Sequence, residues 1–317
     1  MGFFTSLQSV ALLLSMVAPG YILRKTNMLD SGAVQPLVTL LLYVSLPFMT
    51  FSSILKKEYE SGFLGTMGIA LLLSFILLVG MYFFSRLLFS FMKDTPDRCI
   101  DKRILVASTY MSNCGFMGVP LLRAFFPGDS EPIIYAAIFT AVYNFLSWTL
   151  GIYAISGKKQ YVSLWHGIVN PPTLTLFIAL PLFFLSLRPP PEVMTIVDFL
   201  GEMTSPLSMI IIGLRLAEIR FRELFNSPPV YAASAARLLL APLCTFGFLF
   251  IWRLFLPLNA ALFLTLLVIM AMPVGTNVIL MAEMFGGDKM SAVKCILLSS
   301  LLSVVTVPLV MLLGRWI

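Results

Sequence analysis

Two asparagines lie inside long apolar runs, where burying a polar side chain costs free energy. Each asparagine has residues beside it that break helices. Asn113 falls in SNCGFMGVP (112–120), and Asn277 falls in MPVGTN (272–277). Proline removes a backbone donor, and glycine lets the backbone depart from the helix. An interrupted helix exposes N–H groups and partial positive charge where the next helical segment begins. Such N–H groups, with a neutral amide beside them, are suited to binding a carboxylate.

The candidate substrate-binding residues are therefore the polar and helix-breaking residues inside these runs, with three polar residues from other spans. A polar side chain inside a span is costly unless it is satisfied or used. Packing by Gly and Pro, and hydrogen bonds between helices, remain alternative roles for them. The candidates are Asn113, Cys114, Gly115, Gly118, Pro120, Pro273, Gly275, Asn277, Asn144, Tyr143 and Ser45.

The composition places these residues in a membrane. The chain of 317 residues is 59% hydrophobic and 11% charged, against about 25% charged in an average soluble protein. Since a span needs about 20 residues, the apolar runs predict an all-α polytopic membrane protein with ten transmembrane helices. The predicted spans are Leu7–Leu23, Pro36–Leu55, Phe63–Ser85, Ile104–Phe126, Ile133–Ile155, Ile168–Leu187, Val193–Leu216, Val230–Phe255, Ala260–Met284 and Ala292–Leu313.

The basic residues separate onto the two sides that ten spans would create. Of the 21 Lys and Arg, 15 fall on one side, and Arg237 is among them. Since Lys and Arg accumulate in the cytoplasmic loops of membrane proteins, this side is predicted to be the cytoplasmic one. We therefore predict a multi-pass protein of the plasma (cell inner) membrane with both termini outside the cytoplasm. The net charge of +6 then reflects topology, and no nucleic-acid partner is expected. The other six basic residues are Lys56, Lys57, Arg123, Arg188, Arg253 and Arg315.

The two halves of the chain resemble each other weakly. SNCGFMGVPLLRAFFPGD (112–129) and AMPVGTNVILMAEMFGGD (271–288) end alike after a span broken at its centre. VSLPFM (44–49) in span two likewise resembles TSPLSM (204–209) in span seven. Both matches shift the chain by five spans, and an odd shift inverts the second copy. We predict one domain, 1–317, of two inverted five-helix repeats, 1–157 and 158–317, with broken helices 4 and 9 crossing at the midplane.

Five sequence runs carry a family resemblance: GYILRK, SLPFMTFSSI, SNCGFMGVPLL, YNFLSWTLG and MPVGTNVILMAEMFGGD. They resemble the auxin efflux carrier family, which includes plant PIN carriers and bacterial permeases described for malate and malonate. The resemblance implies a homodimer in which helices 1, 2, 6 and 7 form a scaffold, while helices 3–5 and 8–10 move as an elevator-type transport part. The short loop SGKKQYVSLWHG (156–167) departs from the long loop of the best-known plant members and favours a compact permease.

These features predict a secondary transporter of a small organic anion, such as a dicarboxylate or an indole or aromatic carboxylate. No GxxxxGK[ST] occurs, so ATP is not expected as the energy source. No cofactor is predicted. The alternative is a Na⁺- or H⁺-coupled symporter or antiporter of related fold, which would place acidic residues beside the crossing. Spans four and nine carry no acidic residue at that depth. Asp198 and Glu202, near the start of span seven, could form an ion relay, but their place favours an interfacial position. Glu283 lies near the cytoplasmic end of span nine, where it could be solvated. A membrane enzyme or receptor is a third class, but an enzyme would want clustered His, Asp or Cys at the centre.

Overall fold

The chain is described by a computed structural model over residues 12, 15–56, 63–92, 101–169, 171–218 and 227–316, without the side chains of 172, 283, 315 and 316. The start of predicted span one, five basic residues of the charge count (Lys57, Lys93, Arg98, Arg220 and Arg222) and the Glu283 side chain lie outside this description. The described residues are helical apart from turns and a single β-bridge. The helices are α1 (Val17–Lys25), α2 (Ser31–Lys56), α3 (Phe63–Leu88), α4 (Lys102–Tyr110), α5 (Cys114–Phe125), α6 (Glu131–Ser156), α7 (Leu164–Ile168), α8 (Pro171–Phe184), α9 (Pro191–Ala217), α10 (Pro228–Phe255), α11 (Ala260–Met270), α12 (Asn277–Phe285) and α13 (Lys289–Gly314).

Six of the described helices are long and apolar enough to cross a membrane: α2, α3, α6, α9, α10 and α13. Shorter apolar helices lie between them, among them α5 and α11. Predicted spans four and nine are each interrupted near the middle, between α4 and α5 and between α11 and α12. The protein is therefore an all-helical, multi-pass membrane protein in which two apolar segments contain non-helical backbone.

Helices α1 and α9 approach each other closely because each has a glycine where the other passes. A Cβ atom built on Gly20 would lie 2.1 Å from the carbonyl oxygen of Ile210, and one on Gly213 would lie 2.1 Å from that of Val17. Small residues of this kind allow helix backbones to pack closely in membranes. The contact joins the first described helix to the second half of the chain.

We expect Gly213→Ala to lower the melting temperature of the purified protein, because the added methyl group must push α1 away from α9. Overpacking of this kind typically costs about 1 to 3 kcal/mol. Gly68→Ala in α3 is the matched control, since a Cβ there meets nothing within 4 Å. Thermal unfolding in detergent measures both variants, and equal melting temperatures would contradict the close packing of α1 and α9.

The acidic residues of α9 lie toward its first turns. The Asp198 carboxylate is 2.7 Å from Lys56 Nζ at the end of α2 and also accepts a hydrogen bond from Ser52. Glu202 is exposed. Asp198 thus joins two helices through a partly exposed ion pair, and neither carboxylate lines the cavity described next.

Candidate functional site

The two interruptions bind each other through their backbones. Ser112 and Val274 form an antiparallel bridge, in which Asn113 N–H donates to the Pro273 carbonyl (2.8 Å) and Gly275 N–H donates to the Met111 carbonyl (2.9 Å). Unpaired backbone groups in a hydrocarbon environment cost several kcal/mol each, so non-helical backbone is tolerated only where other groups satisfy it. Each interrupted segment thus supplies hydrogen-bond partners for backbone groups of the other that have none within their own helix. We call this pair of segments, 111–113 and 271–276, the crossing.

Gly275 is required by the closeness of this contact. A Cβ atom at this position would lie 2.7 Å from the Ser112 carbonyl oxygen and 3.1 Å from the Tyr143 hydroxyl oxygen. Contacts below 3.0 Å are essentially absent around real Cβ atoms. The sequence therefore needs glycine here for the approach of two backbones, in agreement with the use of glycine at such sites.

Two helices begin at the crossing and run away from it. In α5 the first N–H groups belong to Cys114, Gly115 and Phe116, ahead of the Met117 N–H that donates to the Asn113 carbonyl (3.3 Å). α12 begins at Asn277, directly after Thr276. The first N–H groups of a helix have no acceptor within it, and the helix dipole adds partial positive charge at that end. Both positive ends therefore lie beside the same point.

A cavity of about 350 Å³, counted with the open space at its mouth, lies at these helix beginnings. Its polar lining consists of amide, hydroxyl, thiol and backbone groups, and none of the described side chains lining it is a carboxylate. Leu42 and Leu46 of α2 contribute apolar lining. The other lining residues are Ser112, Asn113, Cys114, Gly115, Phe116, Thr140, Tyr143, Asn144, Gly275, Thr276 and Asn277.

The Asn113 amide is the most distinctive polar group of the cavity. Its side chain is only 4% exposed, and its Nδ2 has no hydrogen-bond partner among the described residues. Buried donors in folded proteins are paired in the great majority of cases. An amide that lines a cavity and lacks a partner is available to bind a ligand that enters the cavity.

Seven of the eleven residues predicted from the sequence line this one cavity: Asn113, Cys114, Gly115, Tyr143, Asn144, Gly275 and Asn277. The other four lie elsewhere. Gly118 packs against Met272, whose Cγ would be 3.3 Å from an added Cβ. The Pro273 carbonyl accepts the hydrogen bond from Asn113 N–H in the crossing. Ser45 is fully buried in α2.

Pro120 differs most from its expected place, because it stands beyond the interruption, inside the helical part of α5. A π-helical turn, Cys114–Gly118, precedes it, and Pro120 follows in the first turn of regular helix. A proline lacks the N–H that would donate one turn back, and the wider turn lies just where that donor is missing. The interruption itself, at 111–113, is stabilised by the bonds to 271–276.

Sequence reasoning missed six lining residues. Thr140 carried a usable signal, because it lies three and four residues before Tyr143 and Asn144 and so shares their helix face. Ser112 and Thr276 are direct neighbours of predicted residues. Nothing in the sequence distinguishes Leu42, Leu46 and Phe116 from other residues of the spans, since most side chains in an apolar span are apolar.

Arg237 of α10 is fully buried and binds a carbonyl of the crossing. The charge count includes it among the 15 basic residues of the cytoplasmic side, but its guanidinium lies inside the helix bundle and not in a loop. Its guanidinium donates to three carbonyls: Nε to Met272 (2.9 Å), one terminal nitrogen to Thr109 (3.2 Å) and the other to Met270 (2.7 Å). These carbonyls belong to the ends of α4 and α11 and to the crossing.

The chain is similar to known membrane transport proteins over its length. The family described as membrane transport protein matches residues 5–164 and 158–311. A relative from Methanothermobacter thermautotrophicus, described as an uncharacterized transporter, is 26% identical over 316 residues, which cover 97% of this chain and 98% of the relative. With the sequence runs and the two interrupted helices, this match assigns the chain to the membrane transport protein family of the auxin efflux carriers.

Proposed function

We propose that this protein is a secondary transporter of a small organic anion, such as a dicarboxylate or an indole or aromatic carboxylate. One observation carries the proposal: the beginnings of α5 and α12 and the amides of Asn113 and Asn277 surround one cavity. Helix N-termini and amide N–H groups stabilise a carboxylate through hydrogen bonds and partial positive charge. An anion is therefore the ligand that this lining fits best.

Two further cavities adjoin the first and support an alternating-access route. One, of about 460 Å³, shares Leu42, Thr276 and Asn277 with it and extends to Gln35 and Arg215. The other, of about 330 Å³, shares Leu46, Gly115 and Thr140 with it and is otherwise mostly apolar. We propose that the ligand moves between the two sides of the membrane through these spaces.

An elevator-type mechanism needs a static part and a moving part. We propose that predicted spans 1, 2, 6 and 7 form the static part; in the structure these spans correspond to α1, α2, α8 and α9. The glycine contacts of α1 with α9, and of Gly201 in α9 with the backbone of Met49 in α2, support this grouping. The antiparallel pairing of two interrupted helices supports two inverted repeats. A homodimer in the plasma membrane, built through the static parts, completes the proposal.

Uptake into vesicles tests the transport function. Purified protein would be reconstituted into lipid vesicles, and entry of labelled malate, malonate and indole-3-acetate would be measured with and without Na⁺ and H⁺ gradients. We expect uptake of at least one carboxylate above the level of empty vesicles. Uptake that depends strictly on a cation gradient would favour the cation-coupled alternative, and no uptake of any carboxylate would contradict the proposed substrate class.

The orientation makes a separate prediction. We expect a cysteine introduced at Arg188, in the loop between α8 and α9, to react with an impermeant thiol reagent added to intact cells. A cysteine introduced at Lys158, after α6, should react only once the cells are opened, because the two loops lie on opposite sides in a ten-span chain. The reverse pattern would contradict the orientation, and equal labelling would contradict the ten-span topology on which the inverted repeat depends.

A further inference from the structure

We propose that Arg237 is the fixed positive charge that makes the cavity select anions, although it does not touch the ligand. The inference rests on the proposed function and adds to it a specificity-determining residue that binds the crossing but does not line the cavity. Its evidence is the three carbonyl contacts of the guanidinium, its burial and its position relative to the cavity.

The carbonyl contacts place Arg237 at the negative ends of the helices that precede the crossing. Thr109 and Met270 lie in the last turns of α4 and α11, where carbonyl groups lack partners within the helix. Since these ends carry partial negative charge, the guanidinium offsets them. The partial positive charge at the first residues of α5 and α12 is then not cancelled by the partial negative charge at the last residues of α4 and α11.

The charge of Arg237 has no carboxylate to balance it among the described side chains. All three of its hydrogen bonds go to neutral carbonyl groups. An arginine stays protonated in proteins, and a buried charge without a counter-ion is costly. Cys114 and Tyr143, which line the cavity, lie within electrostatic range of the guanidinium. An anion in the cavity is the counter-ion that this arrangement lacks.

The local potential can be measured without knowing the substrate. Thr140 lines the cavity and is partly exposed, so Thr140→Cys would be introduced with Cys99, Cys114, Cys244 and Cys295 replaced. The rates of modification by anionic methanethiosulfonate ethylsulfonate and by its cationic trimethylammonium analogue would be compared as a ratio. The ratio removes effects on thiol reactivity that both reagents share. Ser31→Cys, at an exposed position, serves as the reference site.

We expect the ratio of anionic to cationic rates to be far higher at position 140 than at position 31. Arg237→Gln should lower the ratio at 140 by about ten-fold, because one positive charge acts in opposite directions on the two reagents. Arg237→Lys, which keeps the charge but not the fork of donors, should preserve the ratio within about two-fold. Arg86→Gln removes one charge from the end of α3 and should leave the ratio unchanged.

An unchanged ratio in Arg237→Gln would overturn the proposal. A Lys variant that lowers the ratio as much as the Gln variant would also overturn it, because lost carbonyl bonds would then explain the effect. If Arg237→Gln does not fold, equal ratios at positions 140 and 31 with Arg237 in place would still overturn the proposal, since they would show that no positive potential exists. Arg237→Lys still tests whether the charge suffices. A positive potential that depends on Arg237, together with no carboxylate uptake, would contradict the proposed transport function alone.

Discussion

Replacing Asn113 with alanine is expected to lower the affinity for the transported carboxylate by ten-fold to about a hundred-fold. The amide lines the cavity, is buried and has no partner among the described residues for its Nδ2. A hydrogen bond to a charged group contributes about 1.5 to 3 kcal/mol, which corresponds to the stated loss. Thermal stability should stay level or rise, because the substitution also removes a buried donor without an acceptor.

Binding of the carboxylate identified by vesicle uptake, measured by calorimetry together with the melting temperature, checks this prediction. Asn277→Ala should weaken binding in the same way, and Asn113→Asp should weaken it further, since it adds a negative charge beside the ligand. Ser234→Ala is the matched control: Ser234 is also buried without a described partner, but it lies in α10 and does not line the cavity. Unchanged affinity in both asparagine variants would remove the basis of the site.

The second large effect is expected from Gly275→Ala. The new methyl group would lie 2.7 Å from the carbonyl oxygen of Ser112, so the two segments of the crossing must separate. Separation lengthens the hydrogen bonds of Asn113 and Gly275 across the crossing and moves the beginnings of α5 and α12 apart. We expect loss of most transport, with a fall in stability of about 1 to 3 kcal/mol or more.

Gly247→Ala in α10 is the control for this substitution, because a Cβ there meets nothing within 4 Å. Alanine is favoured over glycine by about 1 kcal/mol in a helix interior, so the control should keep or gain stability. Uptake and melting temperature would be measured for both variants in the same preparation. A Gly275→Ala protein with wild-type stability and uptake would contradict the close backbone contact.

The two predictions distinguish residues that bind the ligand from residues that hold the two segments of the crossing together. The asparagine substitutions should change affinity at constant stability, whereas the Gly275 substitution should change both. The labelling ratio at position 140 reports a third property, the electrostatic potential of the cavity. Together these measurements distinguish a crossing that binds an anion from one that only packs helices.

The amino-acid sequence by itself determined the solvent in which the chain folds and which two apolar spans are interrupted. An apolar composition with few charges leaves no alternative to a membrane, and glycine, proline and asparagine violate the local rules of an apolar helix. Such violations are visible without any knowledge of neighbours. For this reason Asn113 and Asn277 could be predicted as members of one site, and the structure places both on the same cavity.

The tertiary structure decided which ordinary residues join that site and what Arg237 does. Leu42 and Leu46 read like any other leucines of a span, and only the packing of α2 against the crossing makes them a wall of the cavity. Arg237 lies inside predicted span Val230–Phe255, and the charge count treats it as a cation at the cytoplasmic interface, because long basic side chains near span ends usually extend there. Its acceptors are 33, 35 and 128 residues away in the chain. Contacts at that separation are set by the packing of whole helices, which no local pattern of residues encodes.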